Sequence, residues 1–186
     1  MFIKETRFKG VYIAEPEVYT DKRGYFLESF RLDEWERILG PFRFFQENES
    51  FSHQGVLRGL HYQIPPYGQA KLIRVIWGAV LDVAVDMRTD QPTFGQYFQV
   101  ELNNQNKRQL FIPSGFAHGF LTLSPQAIVV YKVDALYCQT AERTLHFDDP
   151  QLGIDWGLPP HSCLLSDKDS RGLSWESATL EILNSN

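Results

Sequence analysis

The middle of the chain consists of short segments in which apolar and polar residues alternate. The clearest segment follows Gly78, where every second residue from Ala79 to Met87 is apolar and the intervening positions include Asp82 and Asp86. Side chains of a β-strand point alternately to its two faces, so this period of two predicts a strand. Similar segments separated by turn residues predict further strands at 57–63, 71–77, 96–102, 109–112, 120–123 and 128–133. We expect the first two of these to pair with each other through the loop at 64–68.

One earlier segment has helical spacing instead. Apolar residues at 32, 35, 38 and 39 form one stripe of a helix, which ends at Gly40 and Pro41. From Asp148 onward the regular patterns become sparse, and we expect this part to wrap the outside of the fold in short turns or helices. Many short strands in a chain of 186 residues predict one domain, 1–186, of the mainly β class. The expected architecture is a cupin-type jelly-roll barrel with a few short helices.

Composition limits the classes of partner. The chain is 43% hydrophobic, which is enough for a buried core, and its net charge of -5 at pH 7 disfavours a basic nucleic-acid-binding face. No apolar run reaches the roughly 18 residues of a membrane span, and the first residues do not follow the pattern of a signal peptide. Cys138 and Cys163 show no metal-binding spacing. These features predict a cytoplasmic protein that binds neither nucleic acid nor membrane.

Cupin barrels often hold a metal ion between histidines and a carboxylate, and this chain has two such frames with ligands missing. In the first frame, His61 is present but Gln63 stands where a second histidine belongs. The stretch 69–71 then offers an amide, a methyl group and the cation Lys71 instead of a carboxylate. The second frame, 113–118, keeps only His118. Because a divalent ion needs three or four ligands and no adjacent cation, we predict no metal and no cofactor.

The same positions predict a polar pocket inside the barrel. Arg58, His61, Lys71 and His118 are expected to face the interior, together with one of the two aspartates of the strand after Gly78. An isolated histidine in a strand is usually a hydrogen-bonded core residue. Burying several such polar groups, however, costs several kcal/mol each unless they are paired. Their convergence therefore favours a ligand-binding pocket.

Several motifs occur in an order and at a spacing that resemble one known family. They are Asp21-Lys22-Arg23-Gly24, Arg58–Gln63, Gln69–Leu72, Asp82–Arg88, Arg108–Phe120, Tyr131-Lys132, Tyr137, Glu142, Asp148–Pro150 and Leu165–Asp169. On these residues, which span nearly the whole chain, the sequence is similar to the dTDP-4-dehydrorhamnose 3,5-epimerases. The resemblance implies a cupin-like homodimer that acts on a dTDP-linked 4-keto-6-deoxyglucose. The implied product is dTDP-4-keto-L-rhamnose, in dTDP-L-rhamnose biosynthesis.

The resemblance also implies roles for individual residues. The implied catalytic residues are the base His61, its orienting carboxylate Asp169, the acid Tyr131, and Lys71 near the keto oxygen of the substrate. The implied substrate contacts are Arg23, Glu28, Gln46, Asn48, Arg58, His118, Glu142 and Lys168, with Tyr137 stacked on thymine. Arg23 and Glu28 are expected to reach the pocket of a partner subunit. Glu49 and Phe147 depart from the family pattern, which more often has histidine and tryptophan there.

The implied chemistry is consistent with these residue types. Carbons beside a ketone carry weakly acidic hydrogens, which histidine can remove near neutral pH. A lysine can stabilise the resulting enolate, and a tyrosine on another strand can return a proton from the opposite face. Three alternatives stay open: a related epimerase that inverts only C3 or C5 or acts on a different base or sugar, a metal-dependent cupin, and a non-catalytic sugar-binding cupin.

Overall fold

The computed structural model describes residues 1–184 of the chain, which are mainly β-strands. The strands are β1 Phe2–Glu5, β2 Tyr12–Glu15, β3 Val18–Asp21, β4 Gly24–Leu27, β5 Gln46–His53, β6 Leu57–Gln63, β7 Lys71–Trp77, β8 Ala79–Asp86, β9 Tyr97–Asn103, β10 Gln109–Ile112, β11 Phe116–Thr122, β12 Gln126–Val133 and β13 Glu142–Thr144. The helices are α1 Leu32–Leu39 and α2 Trp175–Asn184, with 3₁₀ turns at Gln139–Ala141, Pro160–Ser162 and Asp169–Arg171.

The strands form two antiparallel sheets and a separate hairpin. The larger sheet has the strand order β1-β2-β10-β7-β12-β5, the smaller has β13-β6-β11-β8-β9, and β3 pairs with β4. Each sheet joins strands from distant parts of the sequence. The prediction of a mainly β, cupin-type jelly roll with a few short helices is confirmed. Among residues 1–184, no helix is both long and apolar enough to cross a bilayer.

The two faces of β8 show how the fold is layered. Val80 and Ala84 belong to the core between the two sheets, where Phe8 packs with them. Val83, on the other face of the strand, belongs to a second cluster that includes Trp156 of the C-terminal segment. This segment therefore covers the outer face of the smaller sheet, as expected from its position after the last strands. It ends in α2, a helix of 10 residues.

The expected pairing of the strands at 57–63 and 71–77 is wrong. Both strands form with the predicted bounds, but β6 lies between β13 and β11 in the smaller sheet, and β7 lies between β10 and β12 in the larger. The loop at 64–70 is long enough to carry the chain across the roughly 10 Å that separates two packed sheets. Residues of β6 and β7 can therefore face each other across the inside of the barrel.

Candidate active site

A cavity of about 360 Å³ opens between the two sheets. It is lined by Gln46, Asn48, His61, Tyr62, Gln63, Gln69, Lys71, Gly115, Phe116, Tyr131, Tyr137, Glu142 and Lys168. His61 comes from β6 of the smaller sheet, whereas Lys71 and Tyr131 come from β7 and β12 of the larger sheet. The cavity thus brings together most of the predicted site residues. Those outside its lining are Arg23, Glu28, Arg58, His118 and Asp169.

His61 forms a close pair with Asp169. The Nε2 atom of His61 lies 2.5 Å from Oδ1 of Asp169, which begins a 3₁₀ turn after Ser166. Burial raises the pKa of Asp169, but hydrogen bonds from His61 and Ser166 outweigh burial and hold that pKa below its usual range. The ionised carboxylate keeps a proton on Nε2 of His61. It therefore leaves Nδ1 as the ring nitrogen that can accept a proton.

A β-bulge in β6 places Arg58 on the same face as His61, although their spacing in a regular strand would put them on opposite faces. The β11 partners of these two residues are only two positions apart, so β6 has an extra residue between them. Gly59 lies in this bulge with a φ of +117°, and a Cβ there would be 2.5 Å from the backbone of β11. Only glycine tolerates both conditions. The Arg58 guanidinium donates to Oγ of Ser52 and to the Phe51 carbonyl, at 2.9 and 3.0 Å.

Lys71 and Tyr131 form the wall of the cavity opposite His61. Burial lowers the pKa of Lys71 to about 8, although the nearby carboxylate of Asp82 acts to raise it. The Nζ atom of Lys71 donates to the backbone carbonyl of His61 at 3.4 Å. Burial raises the pKa of Tyr131, against the effect of the Arg58 charge. At neutral pH an ammonium and a protonated phenol therefore face the imidazole.

A second histidine–aspartate pair lies next to the first. His118 on β11 is directly opposite His61 in the β6–β11 ladder. Its Nε2 atom lies 2.8 and 3.0 Å from the two carboxylate oxygens of Asp82 on β8. Burial lowers the pKa of His118, against the effect of Asp82. Of the two aspartates that the sequence left open, Asp82 joins the site, while Asp86 pairs with Arg88.

Another part of the cavity presents an aromatic ring beside paired charges. The Tyr137 hydroxyl donates to Oε2 of Glu142 at 2.9 Å, and Nζ of Lys168 lies 2.6 Å from Oε1 of the same carboxylate. Burial raises the pKa of Glu142, but these two partners hold it below its usual range. Gln46 and Asn48 of β5 add side-chain amides joined by a hydrogen bond of 2.8 Å. An aromatic face near a cation and side-chain amides suits a base attached to phosphate.

Comparison with known proteins places the chain in a family. A family model for dTDP-4-dehydrorhamnose 3,5-epimerase matches residues 5–177. The dTDP-4-dehydrorhamnose 3,5-epimerase of Shigella flexneri is 48% identical over 173 residues, which are 92% of this chain and 94% of that protein. The chain belongs to the dTDP-4-dehydrorhamnose 3,5-epimerase family. Membership of this family makes the protein an isomerase.

Solved structures of the epimerase family have the same fold. The dTDP-6-deoxy-D-glucose-3,5-epimerase of Legionella pneumophila, crystallised in complex with dTDP-4-keto-L-rhamnose, has a TM-score of 0.91 and 46% identity and covers 97% of this chain and 96% of its own. A more distant relative, the dTDP-4-dehydrorhamnose 3-epimerase of Streptomyces niveus, is 36% identical over 174 residues, which are 93% of this chain and 83% of that protein. Enzymes that differ in the number of inverted centres thus share this sequence pattern.

Two residues that the epimerase resemblance assigned to substrate binding lie on or beside the β3–β4 hairpin. The Arg23 side chain is 84% exposed and pairs with Asp21 at 2.6 Å. Glu28 follows β4 and lies 3.6 Å from Arg31. Within residues 1–184 of one chain, neither Arg23 nor Glu28 lines the cavity. Their expected place in the pocket of a partner subunit stays a prediction.

Two glutamines in the epimerase cavity, Gln63 and Gln69, were not among the predicted site residues. Gln63 carried a signal in the sequence, since it occupies the position of a metal-binding histidine and so faces inward. In the described part of the chain, no three His, Cys, Asp or Glu side chains are grouped as metal ligands would be. The metal-free site stays a prediction. The two departures from the family pattern, Glu49 and Phe147, lie outside the cavity lining.

Proposed function

We propose that the protein converts dTDP-4-keto-6-deoxy-D-glucose to dTDP-4-keto-L-rhamnose by inverting C3 and C5 without a metal ion, in dTDP-L-rhamnose biosynthesis. The observation that carries this proposal is the arrangement of His61, paired with Asp169, across one cavity from Lys71 and Tyr131. The names of the Shigella and Legionella relatives support the same nucleotide sugar.

In the proposed reaction His61 removes the proton from the carbon beside the C4 ketone. Its Nδ1 atom is the free base, since Nε2 is held by Asp169 at 2.5 Å. The carboxylate also stabilises the imidazolium that forms. A base and acid of this kind each contribute roughly 10²–10⁴-fold to the rate. The electron pair of the broken C–H bond moves onto the ketone oxygen, which gives an enolate.

Lys71 is the group that stabilises the enolate. Its ammonium is buried, so its field is little screened by water and acts strongly on a nearby oxyanion. Its pKa of about 8 leaves it mostly charged at neutral pH. The Lys71 ammonium reaches across the cavity to donate to the backbone carbonyl of His61 at 3.4 Å, so the oxyanion site lies within reach of the strand that carries the base.

Tyr131 is the acid that returns a proton from the opposite face. It lies on the larger sheet and His61 on the smaller, so the two groups stand on opposing walls of the cavity. Burial holds the pKa of Tyr131 above its ordinary value, and the phenol is therefore protonated when the enolate forms. Collapse of the enolate takes the phenolic proton onto carbon with inverted configuration. Solvent then reprotonates Tyr131 and deprotonates His61.

The remaining residues are proposed to bind the nucleotide. The thymine would stack on Tyr137, with Gln46 and Asn48 as amide contacts, and Lys168 and Arg58 would neutralise the diphosphate. Glu142 holds Tyr137 and Lys168 in place. His118 would offer a fixed polar contact beside His61. In a homodimer, Arg23 and Glu28 would complete the pocket of the partner. A strictly monomeric species with full activity would contradict this last assignment.

The proposal is tested by incubating the purified protein and a chelator with dTDP-4-keto-6-deoxy-D-glucose in heavy water. We expect NMR to show deuterium at C3 and C5, and His61→Asn to abolish the uptake. Tyr131→Phe should retain uptake but lose the inverted product, because the phenol takes no part in the deprotonation. Uptake at one carbon alone would favour a single-centre epimerase, for which the Streptomyces niveus relative is a precedent. Absence of uptake at both carbons would overturn the proposal.

A further inference from the structure

The amide of Gln63 is fully engaged by backbone groups, although the residue lines the cavity. Its Nε2 donates to the Tyr67 carbonyl at 2.6 Å and makes a longer contact of 3.5 Å with the Leu136 carbonyl. Its Oε1 accepts the backbone N–H of Cys138 at 2.6 Å. The side chain is only 9% exposed. An amide committed in this way acts on the shape of the cavity more than on a ligand.

These contacts join two separate pieces of the cavity wall. Tyr67 belongs to the loop between β6 and β7, whereas Leu136 and Cys138 belong to the segment at 134–138 that follows β12. The same two pieces are joined again by Gln69, whose Nε2 donates to the Ala135 carbonyl at 2.7 Å. The segment 134–138 has no helix or strand of its own, so it depends on such side-chain contacts for its conformation.

Tyr137 lies between Leu136 and Cys138, whose backbone groups Gln63 contacts. The residue is 54% exposed, so packing does little to fix the position of its ring. Its hydroxyl is held by Glu142, which is the cross-strand neighbour of Gln63 in the β13–β6 ladder. The ring is thus held at one end by a carboxylate and at the other by backbone that Gln63 anchors.

We propose that Gln63 is a positioning residue for nucleotide recognition, acting through the segment 134–138 to hold the ring of Tyr137. The inference rests on the proposed role of Tyr137 as the platform for the base. Gln63 follows His61 by two positions on the same face of β6, so one strand presents the proposed base and also shapes the nucleotide end. Loss of this anchor should weaken binding of the nucleotide while leaving the proton-transfer groups in place.

The test is a double-mutant cycle on the affinity for thymidine diphosphate, measured by calorimetry. Tyr137→Ala should weaken binding by about 10-fold, the usual effect of losing a base–aromatic stack. Gln63→Met, which keeps the size of the side chain but removes both hydrogen-bonding groups, should weaken binding about 3- to 10-fold. In the Tyr137→Ala background the effect of Gln63→Met should vanish, because residues that act through each other are not additive. Additive effects would overturn the proposal.

Three further measurements separate positioning from a general structural effect. Gln63→Met should raise KM and leave kcat near the wild-type value, and it should leave the affinity for inorganic pyrophosphate unchanged, since pyrophosphate has no base. Gln99→Met, the same substitution on exposed β9, should change none of these values. If Gln63→Met does not fold, Gln63→Glu, which keeps the acceptor for Cys138, can be carried through the same cycle. A fall in kcat with unchanged KM would also contradict the proposal.

Hydrogen exchange keeps the inference separate from the proposed function. The Cys138 amide should exchange faster in Gln63→Met than in the wild type, because its acceptor is gone. Unchanged exchange would show that Gln63 does not hold the segment. If the wild-type protein fails to bind thymidine diphosphate, the proposed function fails, and the exchange result still decides whether the anchor exists.

Discussion

Two histidine–aspartate pairs stand side by side in the smaller sheet, and they differ in their surroundings. His61 and His118 are direct partners in the β6–β11 ladder. The His61 side chain is 30% exposed and its carboxylate, Asp169, comes from a loop near the C-terminus. The His118 side chain is 7% exposed and its carboxylate, Asp82, is fully buried on the adjacent strand β8.

The difference shows why only one pair is suited to proton transfer. His61 reaches the cavity, so a substrate can approach its free nitrogen and solvent can restore its protonation state. His118 is enclosed, and burial lowers its pKa, so it stays neutral near pH 7 and donates to Asp82. The second pair then serves to hold a negative charge near Lys71, whose pKa Asp82 raises. The metal-binding frames of the sequence treat the two histidines as equivalent, and the family resemblance alone gives them different roles.

The largest expected effect separates the two histidines directly. His61→Asn should reduce kcat/KM by about 10³-fold or more, since it removes the proposed base. His118→Asn should reduce kcat/KM by only about 10-fold, equivalent to about 1.4 kcal/mol. Steady-state kinetics with the keto-sugar measures both, and circular dichroism checks that each variant folds. Equal losses in the two variants would remove the distinction between the pairs.

The carboxylate of Asp169, the partner of His61, should matter more for kcat than that of Asp82, the partner of His118. Asp169→Asn should reduce kcat on the order of 10²-fold, because an amide no longer fixes the tautomer of His61 or stabilises its imidazolium. Because the substitution weakens the base His61 and leaves the hydroxyl of Tyr131 in place, deprotonation becomes the slow step. The rate of deuterium uptake should therefore fall together with kcat. Ser170→Ala, in the same 3₁₀ turn, serves as the control. Normal uptake in Asp169→Asn would show that His61 needs no orienting carboxylate.

The distance between partners along the chain explains how much of this site the sequence could predict. His61, Lys71 and Arg58 lie on strands in which polar and apolar residues alternate. Since the interior of a barrel is usually apolar, polar residues expected to face it stand out. Asp169 is 108 residues from His61, in a charged turn that has no strand or helix pattern. Only the resemblance to a family suggested that pairing. The two aspartates of β8 lie equally far from the register partner of His118, and only the side-chain contacts of Asp82 with His118 and of Asp86 with Arg88 distinguish them.

The fold was predictable where one face of a strand is apolar. The strands β6, β7 and β10 and the helix α1 have the predicted bounds. The strand β5 gave no such signal because Gln46 to Asn48 and the residues after them are largely polar on both faces. The apolar pattern predicts a start of β11 at Phe120, whereas the strand begins at Phe116, because the histidine and glycine at 118 and 119 interrupt that pattern. Pairing of β6 with β7 failed because local pattern does not specify which sheet a strand joins.

A smaller effect concerns stability, through Lys71, which donates to the His61 backbone and interacts with the charge of Asp82. Lys71 has a pKa of about 8 in the folded protein against an ordinary 10.5, so keeping it charged below pH 8 opposes folding by about 3 kcal/mol. Lys71→Met should therefore increase the free energy of unfolding by about 3 kcal/mol at pH 7 while abolishing activity. The gain should shrink as pH rises from 8 and disappear near 10.5. Urea denaturation of both proteins at pH 7 and pH 10 measures it, and an equal difference at both values would show that charge is not the cause.

The smallest effect tests whether the buried pair acts on catalysis through charge. The ammonium of Lys71 must be present to stabilise the enolate, so activity should fall as pH rises through its pKa of about 8. Asp82→Asn removes a charge that raises this pKa, and the alkaline limb of the kcat/KM profile should move to lower pH. Activity should fall less than about 3-fold at pH 6.5 and about 10-fold at pH 8.5. Asp90→Asn, an exposed position after β8, should leave the limb in place. An unmoved limb in Asp82→Asn would mean that the buried pair only supports the structure, and the two pairs would then be independent.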